Sequence, residues 1–342
     1  MARVGRVSTP RISVLLPCRN AAEHLPLAIR SLQLQTYRDF EVVAVNDGSE
    51  DETGDELERW AARDRRVRVT HLDRVGLAEA LRVGSEHCRG ELLARADADD
   101  VAHPRRFEEQ IGLLSRRLDL AAVGTRVRYF PSEQIGWGAR RYQRWLNGLS
   151  EPECLARDVF VECPIAHPTL MVRRAAFEEV GGYHANGWPE DYDLILRLHV
   201  SGAQLANVPR VLHFWREGNN RVSRTDPRYS AEAFRRCKIR YLRESLLKGH
   251  ESVNLWGAGR VGKDFARALA DEGIRVRGFF DIDPRKIGQQ IYGAPVHDAR
   301  HVGRHRDAYL LVVVGAPGAR ELIREQLTEA GFLERRDYCC VA

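Results

Sequence analysis

The chain has 342 residues, 44% hydrophobic and 30% charged, which fits one large or two ordinary globular domains. Its net charge is +5, 53 basic side chains against 48 acidic ones, carried mostly by arginine and without the long basic run of a nucleic-acid binder. The longest apolar run, YLLVVVGAP, is short of the ~20 residues that span a bilayer, MARVGRVSTPR lacks the apolar core of an export signal, and the seven cysteines are scattered without a CxxC pair.

In chain order, RISVLLPCRN predicts a buried strand ending near Pro17, and AEHLPLAIRSLQLQT a helix through Leu25, Ala28, Ile29 and Leu32. FEVVAVNDGSEDET is a second strand running into turn residues, followed by a helix through Leu57 and Trp60. RVRVTHL, the helix GLAEALRVGSEHC and the strand ELLARADADD continue the alternation, and Pro104 opens a helix over RRFEEQIGLLSRR. Four strand–helix repeats imply an α/β unit with a mostly parallel sheet, whose ligands bind beyond the carboxyl ends of the strands. Three polar clusters fall there: Pro17-Cys18-Arg19-Asn20, Asn46-Asp47-Gly48-Ser49 and Asp97-Ala98-Asp99-Asp100.

The pattern weakens from about 130 to 165. Within it, GARRYQRWLNGL at 138–149 mixes Arg140, Arg141 and Arg144 with Tyr142, Trp145 and Leu146. Such a helix lies on a membrane interface or, more commonly, is half-buried with snorkelling arginines. HPTLMVRRAAFEEVGGY predicts a short strand and a helix closed by Gly181-Gly182, WPEDYDLILRLHVSGA a helix with acids in its first turn, and QLANVPRVLHFW a pair of short strands. TDPRYSAEAFRRCKIRYLRESLLKG predicts a long connecting helix capped by Asp226. The expected organisation is a large domain over 1–225, a helical linker over 226–251 and a small α/β domain over 252–342.

Two carboxylates one residue apart, on a turn after a strand, can reach one hard cation of the Mg²⁺ or Mn²⁺ type, or can merely cap the helix that follows. Repulsion among Asp97, Asp99 and Asp100 predicts a loop that stays mobile until a cation arrives.

The segments ISVLLPCRN, NDGSEDET, RVGLAEALRVGSEHCRGELLARADADD, HPRRFEEQ, HPTLMVRRAAFEEVGGY and PEDYDLILRL occur in an order that resembles the family 2 glycosyltransferases, inverting enzymes of GT-A fold, over roughly residues 11–223. The resemblance implies that Pro17, Arg19, Asn20, Asp47, Asp51, Gly76, Ala80 and Asp97 bind a nucleoside-diphosphate sugar, most commonly a UDP-sugar. It implies Asp99 as the ligand of Mg²⁺ or Mn²⁺ and Asp191 as the base that deprotonates an acceptor hydroxyl. His167, Glu190, Arg216 and Arg221 are candidate acceptor or diphosphate contacts, with His213 earlier than the histidine that many relatives place near the metal. The implied partners are the sugar nucleotide and a saccharide or lipid-linked saccharide acceptor. The implied location is the cytoplasm, at the inner membrane face where the acceptor is lipid-linked, with the C-terminal domain a place for a homodimer contact.

In the C-terminal stretch, WGAGRVGKDFARAL carries Gly257, Gly259 and Gly262 in GxGxxG spacing after a strand, with Asp281 about 20 residues on. This resembles the small Rossmann-like domains appended to sugar-modifying enzymes and implies a second nucleotide site, or glycines present only for close packing. Two other functions stay open: an NAD-binding oxidoreductase or redox sensor acting through this fingerprint, and a non-catalytic nucleotide-sugar-binding scaffold.

Overall fold

The computed structural model describes residues 9–218 and 221–342; residues 1–8, read above for an export signal, lie outside them. The chain divides into two compact units. The first holds the residues up to Leu155, Pro164–Asn186 and Glu190–Thr225, and the second holds Ala156–Cys163, Gly187–Pro189 and Asp226–Ala342.

The first unit begins with the repeats β1 (Ile12–Cys18), α1 (Leu25–Gln33), β2 (Phe40–Asp47), α2 (Thr53–Arg63), β3 (Val67–Leu72), α3 (Leu77–Glu86) and β4 (Leu92–Arg95). There follow β5 (Val101–Ala102), α4 (Arg106–Arg116), β6 (Leu120–Phe130), α5 (Trp137–Asn147), α6 (Pro152–Asp158, its residues from Ala156 on counted with the second unit), β7 (Met171–Arg173), α7 (Arg174–Glu179), α8 (Glu190–Val200), β8 (Gln204–Arg216) and α9 (Val222–Thr225). They build an eight-stranded sheet ordered β3-β2-β1-β4-β7-β6-β8-β5. The four early strands are mutually parallel, and β7 runs antiparallel to β4 and β6. Strands β1 and β2 are buried along their whole length, which explains their near-continuous apolar sequence. Pro17 lies beyond the stretch of β1 that pairs with β4, so its missing N–H breaks no bond to that strand.

Two local expectations change. The pair of strands predicted over 204–215 is one continuous strand, β8. It pairs in parallel with β6, and its register jumps from Val208 opposite Thr125 to Val211 opposite Arg126. Pro209 has no N–H to donate, so the strand bulges there instead of ending. Asp226 caps a 3-10 turn over Pro227–Tyr229 through the Arg228 amide, and the long helix after it is capped by Ser230, whose hydroxyl accepts from the Ala233 amide.

Helix α5 turns Tyr142, Trp145 and Leu146 onto Val127, Ala166 and Trp215. Its Asn147 amide pairs with both the N–H and the C=O of Val127, and Gln143 accepts from the Tyr129 amide, so two side chains continue the hydrogen bonding of β6. Trp137 is left exposed, with Arg141 stacked on its ring. None of the helices among the described residues is long and apolar enough to cross a membrane.

The second unit contains α10 (Ala231–Glu244), β9 (Ser252–Trp256), α11 (Arg260–Asp271), β10 (Arg275–Asp281), β11 (Gln290–Ile291), β12 (Ala294–Asp298), β13 (Tyr309–Val312), α12 (Ala319–Glu329) and β14 (Tyr338–Cys340). Five of its strands, ordered β12-β10-β9-β13-β14, are parallel, and β11 closes a hairpin on β12. This is the 3-2-1-4-5 order in which dinucleotide-binding sheets are wound. The stretch expected as a linker supplies α10, which packs within this unit. The buried ammonium of its Lys238 donates to the carbonyls of Val161 and Val341, and Arg235 lies over the Phe265 ring of α11.

Candidate active site

The parallel register brings the three polar clusters to one edge of the sheet. Cys18 pairs with Asn46, and Leu15 with Arg95, so the chain leaves β1, β2 and β4 side by side. The loops after β1 and β2 are stitched together. The Asn20 amide donates to Ser49 and its side chain accepts from the Glu50 amide, while Asp51 accepts from the amides of Ala22 and Thr53 and from the Thr53 hydroxyl. Asn20 takes a left-handed φ of 45°, which asparagine tolerates better than most residues. Arg19 between them has a buried Nε without a protein partner, suited to an anionic or carbonyl ligand.

Asp47 is buried, and its two oxygens accept from the amides of Val75 and Gly76, clasping the start of α3. Gly76 sits there with φ 88° and ψ 161°, a conformation open essentially to glycine alone. Ala80, one turn on, is fully buried in α3. Asp47 and Asp51 therefore already hold the loops in place, whichever ligand they also meet.

The carboxylate oxygens of Asp97, Asp99 and Asp100 lie within 4.8 Å of one another. The turn is braced from below by two fully buried arginines. Arg95 pairs with Asp97 at 2.6 Å, and Arg106 donates to the Arg95 carbonyl at 2.8 Å. It is tied sideways to β8. Asp100 accepts from His213 Nε2 at 2.8 Å and from the Arg216 amide at 2.7 Å, and the Arg216 guanidinium donates to the Asp99 carbonyl. These ties supply the compensation that the bare sequence lacked, so the turn is anchored rather than left to charge repulsion. Burial, and then the charges of Asp100 and Asp97, push Asp99 up to about 7, while Asp100 stands well above the ordinary carboxylate value through burial and Asp97. Carboxylates destabilised in this way invite a divalent cation, and an all-oxygen donor set fits Mg²⁺ or Mn²⁺.

Arg216 and Arg221 both stand on this side. Arg216 lies over the Phe130 ring, and Arg221 stacks on Trp215, itself stacked on Tyr129. Asp191 is half-buried in the first turn of α8, where it accepts from the Tyr192 amide. His167 lies in the interior, bonded to the Tyr183 hydroxyl at 2.9 Å with Nδ1 3.8 Å from the buried Glu190, rather than on an open acceptor face. Burial, and then the Arg95 charge, hold its imidazole well below its usual pKa. Arg95 and the pair Asp100–His213 carry the site although spacing alone gave them no role: a buried arginine or histidine reads in sequence like any surface one.

The match to known proteins decides the family. Residues 13–181 match the Glycosyl transferase family 2 profile. The O-antigen biosynthesis glycosyltransferase WbnJ of Escherichia coli is 30% identical over 69% of this chain and 89% of its own length. The chain belongs to glycosyl transferase family 2. The amylovoran biosynthesis glycosyltransferase AmsE of Erwinia amylovora is 31% identical over 62% of this chain and 78% of its own. Among solved structures, S. aureus TarS 1-349 in complex with UDP-GlcNAc superposes with a TM-score of 0.57 at 16% identity, covering 76% of this chain and 71% of that one. The first unit of this glycosyltransferase thus has the GT-A fold.

In the second unit the fingerprint glycines have separate reasons. A side chain on Gly262 would place its Cβ 1.8 Å from the Gly257 carbonyl, and Gly257 has φ 122° against Val313 and Val314. A Cβ on Gly259 would meet nothing within 4 Å. Asp281 accepts from the amides of Ala258 and Asp283 and pairs with Lys286 at 3.0 Å. Burial raises its pKa, but these bonds outweigh it and hold the carboxyl below its ordinary value. A ribose hydroxyl on Asp281 would have to share a carboxylate that already accepts from Ala258, Asp283 and Lys286.

Proposed function

We propose that the chain is an inverting, metal-dependent glycosyltransferase that moves a sugar from a nucleoside-diphosphate donor, a UDP-sugar, to a hydroxyl of a polysaccharide or glycoconjugate acceptor. The observation that carries this is the acid turn. Asp99, at the carboxyl edge of a parallel sheet, is the carboxylate of the three whose side chain has no partner beyond its own amide among the described residues. The names of WbnJ and AmsE support a polysaccharide product, and the UDP-GlcNAc bound to TarS supports the donor class.

Arg19 and the stitched loops would receive the nucleotide, with Asp47 fixing the wall at Gly76. A Mg²⁺ or Mn²⁺ on Asp99 would stabilise negative charge on the departing diphosphate. Arg216 and Arg221 add positive charge on the same side. Asp191, in the first turn of α8, takes the acceptor proton.

The test is thermal stability with UDP, GDP, dTDP and NAD, each with Mn²⁺ or EDTA, on wild type and Asp99→Asn. A ligand at 100-fold its dissociation constant adds about 2.7 kcal/mol. One nucleoside diphosphate stabilising only with metal and only with Asp99 is the expected result. Stabilisation by NAD alone, regardless of metal, would defeat the proposal in favour of the second unit.

A further inference from the structure

The three carboxylates of the acid turn have three different sets of partners. Asp97 is paired with buried Arg95, and Asp99 has its own amide. Asp100 is spent on the protein: Oδ2 takes His213 Nε2–H and Oδ1 takes the Arg216 amide. Both side chains of the Asp100–His213 pair are 2% exposed. His213 Nδ1 is also buried and has no partner, so Asp100 is the one polar partner of that ring among the described residues. Arg216 closes the arrangement by donating to the Asp99 carbonyl as well, so β8 grips the turn on either side of the Asp99–Asp100 peptide.

We infer that Asp100 is a positioning residue and not a metal ligand: through His213 and Arg216 it fixes the backbone from which Asp99 presents its carboxylate. This rests on the metal-dependent reading above. Each Asp100 oxygen already accepts from a donor on β8, so a cation there would have to share an oxygen with the Arg216 amide or with a buried imidazole that has no other polar partner among the described residues, weakening a bond that nothing nearby replaces. Asp99 can meet a cation without breaking any bond to another residue. The three adjacent acids therefore divide into one held by an arginine, one free to ligate and one that anchors.

The readout is Mn²⁺ binding in the presence of UDP, followed by the electron paramagnetic resonance of free Mn²⁺, so that it does not depend on turnover. Asp99→Asn is expected to remove the metal-dependent binding. Asp100→Ala and His213→Ala are expected to weaken it ~10–100-fold, as loss of a ligand's support does. Asp100→Asn keeps an acceptor for the Arg216 amide and a polar group for the imidazole, and His213→Gln keeps a donor for Asp100; each is expected to recover most of that loss. Asp100→Asn as damaging as Asp99→Asn would make Asp100 a ligand and overturn the inference. Wild-type binding in Asp100→Ala would overturn it by showing that the turn needs no anchor. If Asp100→Ala fails to fold, the histidine pair decides: equal loss in His213→Ala and His213→Gln overturns it, and recovery in glutamine supports it. No metal-dependent UDP binding in wild type would instead bring down the underlying reading, a result distinct from these.

Discussion

On the proposed mechanism Asp191 and Asp99 have separable duties, and isosteric amides separate them. Asp191→Asn should lower transfer by ~10²–10⁴-fold, the usual contribution of a general base, while calorimetric titration with UDP and Mn²⁺ stays near wild type. Joint loss of binding and transfer would make Asp191 structural. Asp99→Asn should lose binding first, and the loss should match that of wild type in EDTA. Both acids are legible in sequence because their neighbours follow a family pattern. Asp100 is not, because its meaning comes from His213, 113 positions away. His167 shows the opposite failure: the motif around it is visible, but its enclosure by Tyr183 and Glu190 is a tertiary fact.

Among the elements, α3 and α11 each begin at a glycine, for different reasons. Gly76→Ala must adopt φ 88° and ψ 161°, which costs ~1–3 kcal/mol and displaces the amides held by Asp47. A lowered melting temperature with weakened UDP binding is the expected outcome. In α11, Gly262→Ala forces a Cβ into the Gly257 carbonyl and should abolish the folded second unit, seen as loss of its hydrogen-exchange protection. Gly259→Ala meets open space, and its cost is confined to the cap, about 1 kcal/mol. If Gly259→Ala keeps its fold but loses stabilisation by a nucleotide, the turn holds that nucleotide; if NAD never stabilises either protein, the glycines serve packing. GxGxxG spacing predicts all three positions without saying which are steric, since that depends on what the helix meets.

At the scale of the molecule, each unit has its own electrostatic support. In the second, Asp158 is buried against Arg324 at 2.5 Å, and Arg324 also holds Glu334. Burial alone would raise the Asp158 pKa, but Arg324 and Arg157 outweigh it and bring it below the ordinary 3.8. A carboxyl whose pKa is lower folded than unfolded stabilises fully above the unfolded value and loses that contribution as pH falls through the folded one. Melting temperature should therefore fall below about pH 4, and Asp158→Asn should remove this component of the acid limb. At neutral pH the same variant should cost ~1–2 kcal/mol, because it weakens a charge-assisted bond to a half-buried guanidinium that still holds Glu334. By itself the sequence determined the alternation of strand and helix, the polar clusters at strand ends and the family, because apolar periodicity and short motifs are local. Tertiary structure alone decided that β8 is one bulged strand, that α10 packs as part of the second unit, and that Arg95, His213 and Arg216 convert three repelling carboxylates into an ordered turn. Those outcomes depend on burial and on partners distant in the chain, and no local pattern encodes either.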